Sequence, residues 1–188
     1  PEKVREHHLA DVDADYLMLN GDLILHLGVF PNADYATALA TAYNDWLIER
    51  WLDADERFLG SLLVAPQRPD RAAEEIRRVG NHPRIRQVLM GSANQLPYGN
   101  QYYWPIYEAA EEYGLPVAIH PGTEGRGIAN PPSAGYPSTY FEWHSAIPTT
   151  YMAQVISLVC EGVFVEFPEL NFVCIEGGLS WVPHVMWR

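Results

Sequence analysis

The sequence predicts an α/β fold built on a parallel sheet, and three observations carry that prediction. Short apolar runs at residues 58–65, 85–90, 116–120 and 172–175 have the length of strands buried on both faces. Segments with three- and four-residue apolar spacing lie between them and read as amphipathic helices. Strands that alternate with helices of about ten to fifteen residues imply right-handed crossovers and parallel neighbours. Periodicity alone leaves two architectures open, a barrel and a doubly wound layer.

The elements follow in order. Residues 16–19 and 23–27 suggest one strand and an extended loop. The first clear helix places Tyr35, Ala38, Leu39, Ala42, Tyr43, Trp46 and Leu47 on one face, with Asn32 as N-cap after Pro31, and ends near Asp53. Strand 58–65 is closed by Pro66, and a second helix runs from residue 69 to about 79. The alternation repeats with a strand at 85–90, a helix at 104–113 ending at Gly114, and a strand at 116–120. From residue 121 to about 146 the pattern dissolves into Gly, Pro, Ser and Thr with several aromatics. A loop of that length after a strand C-terminus is expected to be functional or disordered. A helix from about 149 to 161, a turn near 167–171, a strand at 172–175 and the start of another helix follow.

The 188 residues suit one domain but fall short of the ~250 of a complete (β/α)₈ barrel. Hydrophobic residues at 48% supply a sizeable core. Twelve basic against 24 acidic residues, a formal charge of -12, disfavour nucleic acid and anionic membrane surfaces as partners. The basic stretch from residue 68 to 86 is interleaved with Asp70, Glu74 and Glu75 and reads as a solvated helix face. Cys160 and Cys174 are not a C-x-x-C pair and point to a reducing, cytoplasmic setting. No run reaches the ~18 apolar residues of a membrane span.

Three residues stand where chemistry is expected. His120 closes an apolar strand and precedes Pro121-Gly122, a position suited to a metal ligand as much as to a structural imidazole. Glu176 occupies the matching place one unit later, before Gly177-Gly178. Its carboxylate either points into the same cleft or stabilises a helix N-terminus. His144, between Trp143 and a helix, is a candidate acid or base, with packing as the plainer alternative. Asn44 and Asp45 read as helix-surface or loop-anchoring residues. His7, His8, His26, His82 and His184 read as structural. Neither a nucleotide-binding glycine loop nor a nucleophile-elbow pattern is present.

A set of motifs in fixed order carries more. Ala42-Tyr43-Asn44-Asp45-Trp46, Arg57-Phe58-Leu59-Gly60, Leu115-Pro116-Val117-Ala118-Ile119-His120, Phe167-Pro168-Glu169-Leu170 and Ile175-Glu176-Gly177-Gly178 together resemble the amidohydrolase-related family that includes aminocarboxymuconate-semialdehyde decarboxylase. The resemblance implies a (β/α)₈ barrel holding a divalent metal, often zinc, through a His-x-His pair, a fifth-strand His and an eighth-strand Asp. His120 matches the fifth-strand ligand. Glu176 matches a position where the decarboxylase carries a catalytic His, which sets decarboxylation in question.

The His-x-His pair and the Asp have no counterpart, so the chain is expected to be one domain truncated at both ends, covering roughly the second to sixth units. The leading expectation is a metal-dependent hydrolase acting on a small carboxylated or cyclic substrate, with His120 as metal ligand and Glu176 and His144 as catalytic residues. A non-oxidative carboxy-lyase is the first alternative, and a catalytically silent fragment or interaction module the second. Unpaired sheet edges favour self-association.

Overall fold

Five short strands, β1 (Leu17–Leu19), β2 (Phe58–Leu63), β3 (Ile85–Gly91), β4 (Val117–His120) and β5 (Phe172–Cys174), form one parallel sheet in the order β1-β2-β3-β4-β5. They belong to a computed structural model that describes residues 1–21 and 23–188. The strand order settles what periodicity left open. A doubly wound sheet reverses its order at a switch point, whereas here each strand lies beside the next in sequence, as in the wall of a barrel. The chain is a partial (β/α)₈ barrel of five strand units.

Among the described residues, seven α-helices accompany the sheet: α1 (Glu2–Val4), α2 (Ala33–Arg50), α3 (Pro69–Val79), α4 (Trp104–Glu112), α5 (Tyr140–Cys160), α6 (Val163–Glu166) and α7 (Val182–Met186). Strand residues alternate between two layers, as a period of two requires. Phe58, Leu62, Val88, Met90, Val117 and Ile119 join Ile76, Ile106, Tyr107 and Tyr151 from the helices in the main core. The intervening Leu63, Leu89 and Ala118 face a smaller cluster with Leu25, Leu27, Ala36 and Ala40.

Local sequence explains most boundaries. The Asn32 side chain accepts a hydrogen bond from Tyr35 N at 2.9 Å and starts α2, while Pro69 opens α3 where no N–H is needed. Two expectations need correcting. Residues Leu23–Val29 form a 3-10 helix rather than an extended loop. The second correction matters more for the site: α5 begins at Tyr140, not near residue 149. Thr139 caps it by accepting from Glu142 N at 3.2 Å, and Pro148 sits inside the helix instead of marking its start.

The expectation for the basic stretch holds in detail. Arg68 pairs with Asp34 and Asp70, Arg71 with Glu74, Arg77 with Glu108 and Glu112, and Arg78 with Asp45 and Glu75. These are surface pairs worth little individually to stability. Among the described residues they leave that helix face no free cationic cluster to attract an anion.

Asn44, expected on a helix surface or anchoring a loop, is instead buried and anchors a strand. β1 pairs with β2 only as far as Gly60, so among the described residues no strand flanks Leu63 on the side away from β3. The Asn44 carboxamide stands in for one, accepting from Leu63 N at 3.0 Å and donating to Leu63 O at 2.9 Å. It also donates to Glu75 Oε1 at 2.8 Å. Burial pushes the Glu75 carboxyl upward, but hydrogen bonds from Arg78 and Asn44, the Arg78 charge and Thr41 outweigh it and leave the group below its ordinary range.

Candidate active site at the strand tips

β4 alternates so that Val117 and Ile119 pack beneath the helices while Ala118 and His120 face the other way. His120 is the last residue of that strand. β5 ends one unit later, and Ile175 N still donates to Ile119 O at 3.0 Å, which carries the pairing up to Glu176. Glu176 itself has φ +60, a left-handed conformation that a residue with a side chain adopts only at a cost of about 1–3 kcal/mol. The turn is held in place from two sides. Tyr151 Oη donates to Ile175 O at 2.5 Å, and Trp181 Nε1 donates to Gly177 O at 2.7 Å.

The result is a direct approach of the two predicted groups: His120 Nε2 lies 3.6 Å from Glu176 Oε1. His120 Nδ1 is 2.9 Å from Pro121 O, and because a carbonyl can only accept, Nδ1 carries the hydrogen of that bond. In the neutral imidazole Nε2 is therefore a lone pair facing a carboxylate oxygen. Two acceptors in that relation call for a proton or a cation between them. A backbone-anchored Nδ1–H is also the arrangement that orients a metal-ligating histidine.

This pair lines a cleft of about 570 Å³. His144 lines the cleft from the first turns of α5, beside Tyr140 and Trp143, with ring centroids 5.6 and 6.0 Å away. The structure thus brings all three predicted residues, His120, Glu176 and His144, to one cavity. Pro148 has no N–H to return to the carbonyl of His144, four residues earlier, so that carbonyl is left without its usual helical partner.

Sequence reading missed two cleft residues. Glu124 is buried, accepting from Ser92 Oγ and, at 3.0 Å, from Gly122 N, and so ties the loop after β4 to the end of β3. Arg126 lines the same cleft from that loop. Their signal was available, since both lie within six residues of His120, but a loop without periodicity gives no direction to a side chain. His26, read as structural, has its Nε2 3.6 Å from where a Cβ on Gly122 would sit, next to the same strand tip.

Among the described residues, no group of three His, Cys, Asp or Glu side chains is placed to hold a metal ion. His120 and Glu176 offer two donors. Their 3.6 Å separation matches two ligands of one ion at about 2.0–2.2 Å each. The residues present therefore fit part of a metal site, and further donors would have to complete it.

The Amidohydrolase family profile matches residues 21–188. The chain belongs to the Amidohydrolase family. Among curated relatives of this amidohydrolase-family chain, gamma-resorcylate decarboxylase from Rhizobium sp. (strain MTP-10005) is 27% identical over 210 residues, covering 99% of the chain and 61% of that enzyme. The crystal structure of a 2,6-dihydroxybenzoate decarboxylase with its 2,6-dihydroxybenzoate superposes with a TM-score of 0.78 at 22% identity, covering 100% of the chain and 59% of the enzyme. The manganese-bound 5-carboxyvanillate decarboxylase of Novosphingobium aromaticivorans superposes with a TM-score of 0.72 at 24% identity, covering 96% and 51%. The chain thus spans about three-fifths of the length of the first relatives it matches.

These relatives bear on the choice between hydrolysis and loss of carbon dioxide. They are carboxy-lyases, and so favour the alternative over hydrolysis. No helix among the described residues is long and apolar enough to cross a membrane.

Proposed function

We propose that this chain forms one domain carrying part of the active site of a metal-dependent, non-oxidative carboxy-lyase for small aromatic acids. The observation that carries the reading is the facing pair of acceptors, His120 Nε2 and Glu176 Oε1, at adjacent strand tips. The decarboxylase relatives supply the reaction class. His120 and Glu176 would hold the ion, with water or substrate oxygens filling its remaining positions. A bound divalent ion would neutralise substrate charge and stabilise the charge that develops as the bond breaks. An imidazole and a carboxylate suit manganese as well as zinc, and manganese is the ion in the Novosphingobium enzyme.

The protein's own groups do the rest. Decarboxylation breaks the bond between ring carbon and carboxylate, releases carbon dioxide, and requires one proton at that carbon. With Glu176 engaged beside His120, His144 in the same cleft delivers the proton and recovers it from solvent. Tyr140 and Trp143 give the planar ring an aromatic wall. A cytoplasmic setting and a small-molecule partner accord with this reading.

The test is product analysis. The chain, supplied with manganese or zinc, is incubated with 2,6-dihydroxybenzoate and assayed for carbon dioxide and resorcinol. Metal-dependent release that falls at least about 10²-fold in His144→Gln supports the reading. Turnover of a cyclic ester without carbon dioxide from the benzoate would restore hydrolysis as the chemistry.

A further inference from the structure

The cleft raises an electrostatic problem that the His120 and Glu176 pair does not solve. A chain of formal charge -12 presents Glu124 and Glu176 to any ligand entering this cavity, so an acidic substrate meets two carboxylates. Among the described residues, Arg126 is the one Lys or Arg that lines it. Elsewhere the arginines of α3 are bound to carboxylates, and Arg5, Arg57 and Arg84 pair with Asp55 or Asp53. The Arg126 guanidinium has no hydrogen bond or ion pair to any described residue. Its backbone, in contrast, is fixed: Arg126 N donates to Thr123 O at 3.1 Å, and Ala129 N donates to Arg126 O at 2.9 Å. A cation with an anchored backbone and an unengaged fork, in a cleft with an aromatic wall, is placed to take up a planar anion.

Which anion it takes follows from the chemistry. Two hydrogen bonds to the carboxylate that departs would stabilise the ground state, whose charge is concentrated there, more than the transition state, whose charge has spread into the ring. Such a contact would slow the reaction. Arginine is suited instead to an anionic group that keeps its charge throughout. The cleft thus offers two kinds of polar group, the His120 and Glu176 pair at the strand tips and the Arg126 cation from the loop.

Resting on the carboxy-lyase reading of this same site, we propose that Arg126 determines specificity by binding a second, retained anionic substituent of an aromatic substrate. The preferred substrate is then an aromatic diacid or its equivalent, with one acidic group lost at the strand tips and another held at the loop.

The experiment is calorimetric titration of the purified chain with isophthalate and with benzoate, repeated for Arg126→Gln and Arg126→Lys. The exposed, unpaired side chain makes both variants fold-neutral, checked by an unchanged thermal midpoint. The expected result is tighter binding of isophthalate than of benzoate by about tenfold or more, a preference erased in Arg126→Gln and partly kept in Arg126→Lys. An equal preference in Arg126→Gln, or no preference in the parent chain, overturns the proposal. Diacid binding that depends on Arg126 without any carbon dioxide release would sink the carboxy-lyase reading and leave the Arg126 site standing. Turnover in Arg126→Gln with unchanged KM for a diacid would do the reverse.

Discussion

Replacing Asn44 by alanine removes three hydrogen bonds from a side chain that is 1% exposed. Two of them serve the N–H and C=O of Leu63, at a point where β1 no longer flanks β2. Each buried backbone group left without a partner costs about 1–3 kcal/mol. Glu75 loses one donor but keeps Arg78 and Thr41, so its share is smaller. The total is about 4 kcal/mol, a large fraction of the stability of an ordinary domain. For a chain of this size, about 2–4 °C is lost per kcal/mol, so the thermal midpoint should fall by about 8–16 °C, read by circular dichroism. Asn44→Asp is the control. It keeps an acceptor for Leu63 N–H but sets a second carboxylate against Glu75, so its deficit should shrink as pH falls and the new carboxylate is protonated. A drop of less than about 3 °C for the alanine variant would mean that water takes over the Leu63 groups, and the view of Asn44 as a surrogate strand would be wrong.

Other predictions concern the loop, the site and acid stability. A Cβ on Gly127, whose φ is +52, would come within 1.9 Å of Val29 O, so Gly127→Ala should detach the loop after β4 from the Leu23–Val29 segment and accelerate amide exchange there; unchanged exchange would refute that contact. Tyr151→Phe removes the hydroxyl that steadies the Glu176 turn, and should cost about 1 kcal/mol in denaturant unfolding while lowering kcat more than it raises KM; an effect on KM alone would count against a positioning role. The side-chain and backbone hydrogen bonds of Arg57 hold the Asp55 carboxyl down to about 2. Because that value is depressed, its contribution to stability is complete above the unfolded value of about 3.9 and disappears as pH falls through about 2. Asp55→Asn should therefore flatten the loss of urea resistance between about pH 4 and 2.

Much of the fold could be read from local chemistry. Asn32 and Pro69 mark helix starts because capping and proline geometry act over a few residues. The start of α5 was hidden by Pro148, which locally favours a boundary but is carried inside a helix that Thr139 has already nucleated. Residues 23–29 are apolar enough for a strand, yet they close as a 3-10 turn over Leu63, Leu89 and Ala118, a packing relation that no local pattern shows. The choice of barrel over doubly wound layer needed the strand order. In the site, His120 and Glu176 were recognisable because a strand end gives its last side chain a direction. Glu124 and Arg126 were not, since their orientation comes from loop hydrogen bonds to Ser92, Gly122 and Thr123.

A metal site at the strand tips requires the His120 Nε2 lone pair to face Glu176 with a cation between them. Manganese titration, followed by calorimetry and by the paramagnetic resonance of the free ion, addresses it directly in the parent chain and in His120→Ala. With only two donors placed together, the predicted result is weak, saturable binding of about one equivalent, lost in the variant. Equal binding by both proteins, or none by the parent chain, would contradict the assignment of His120 as a metal ligand.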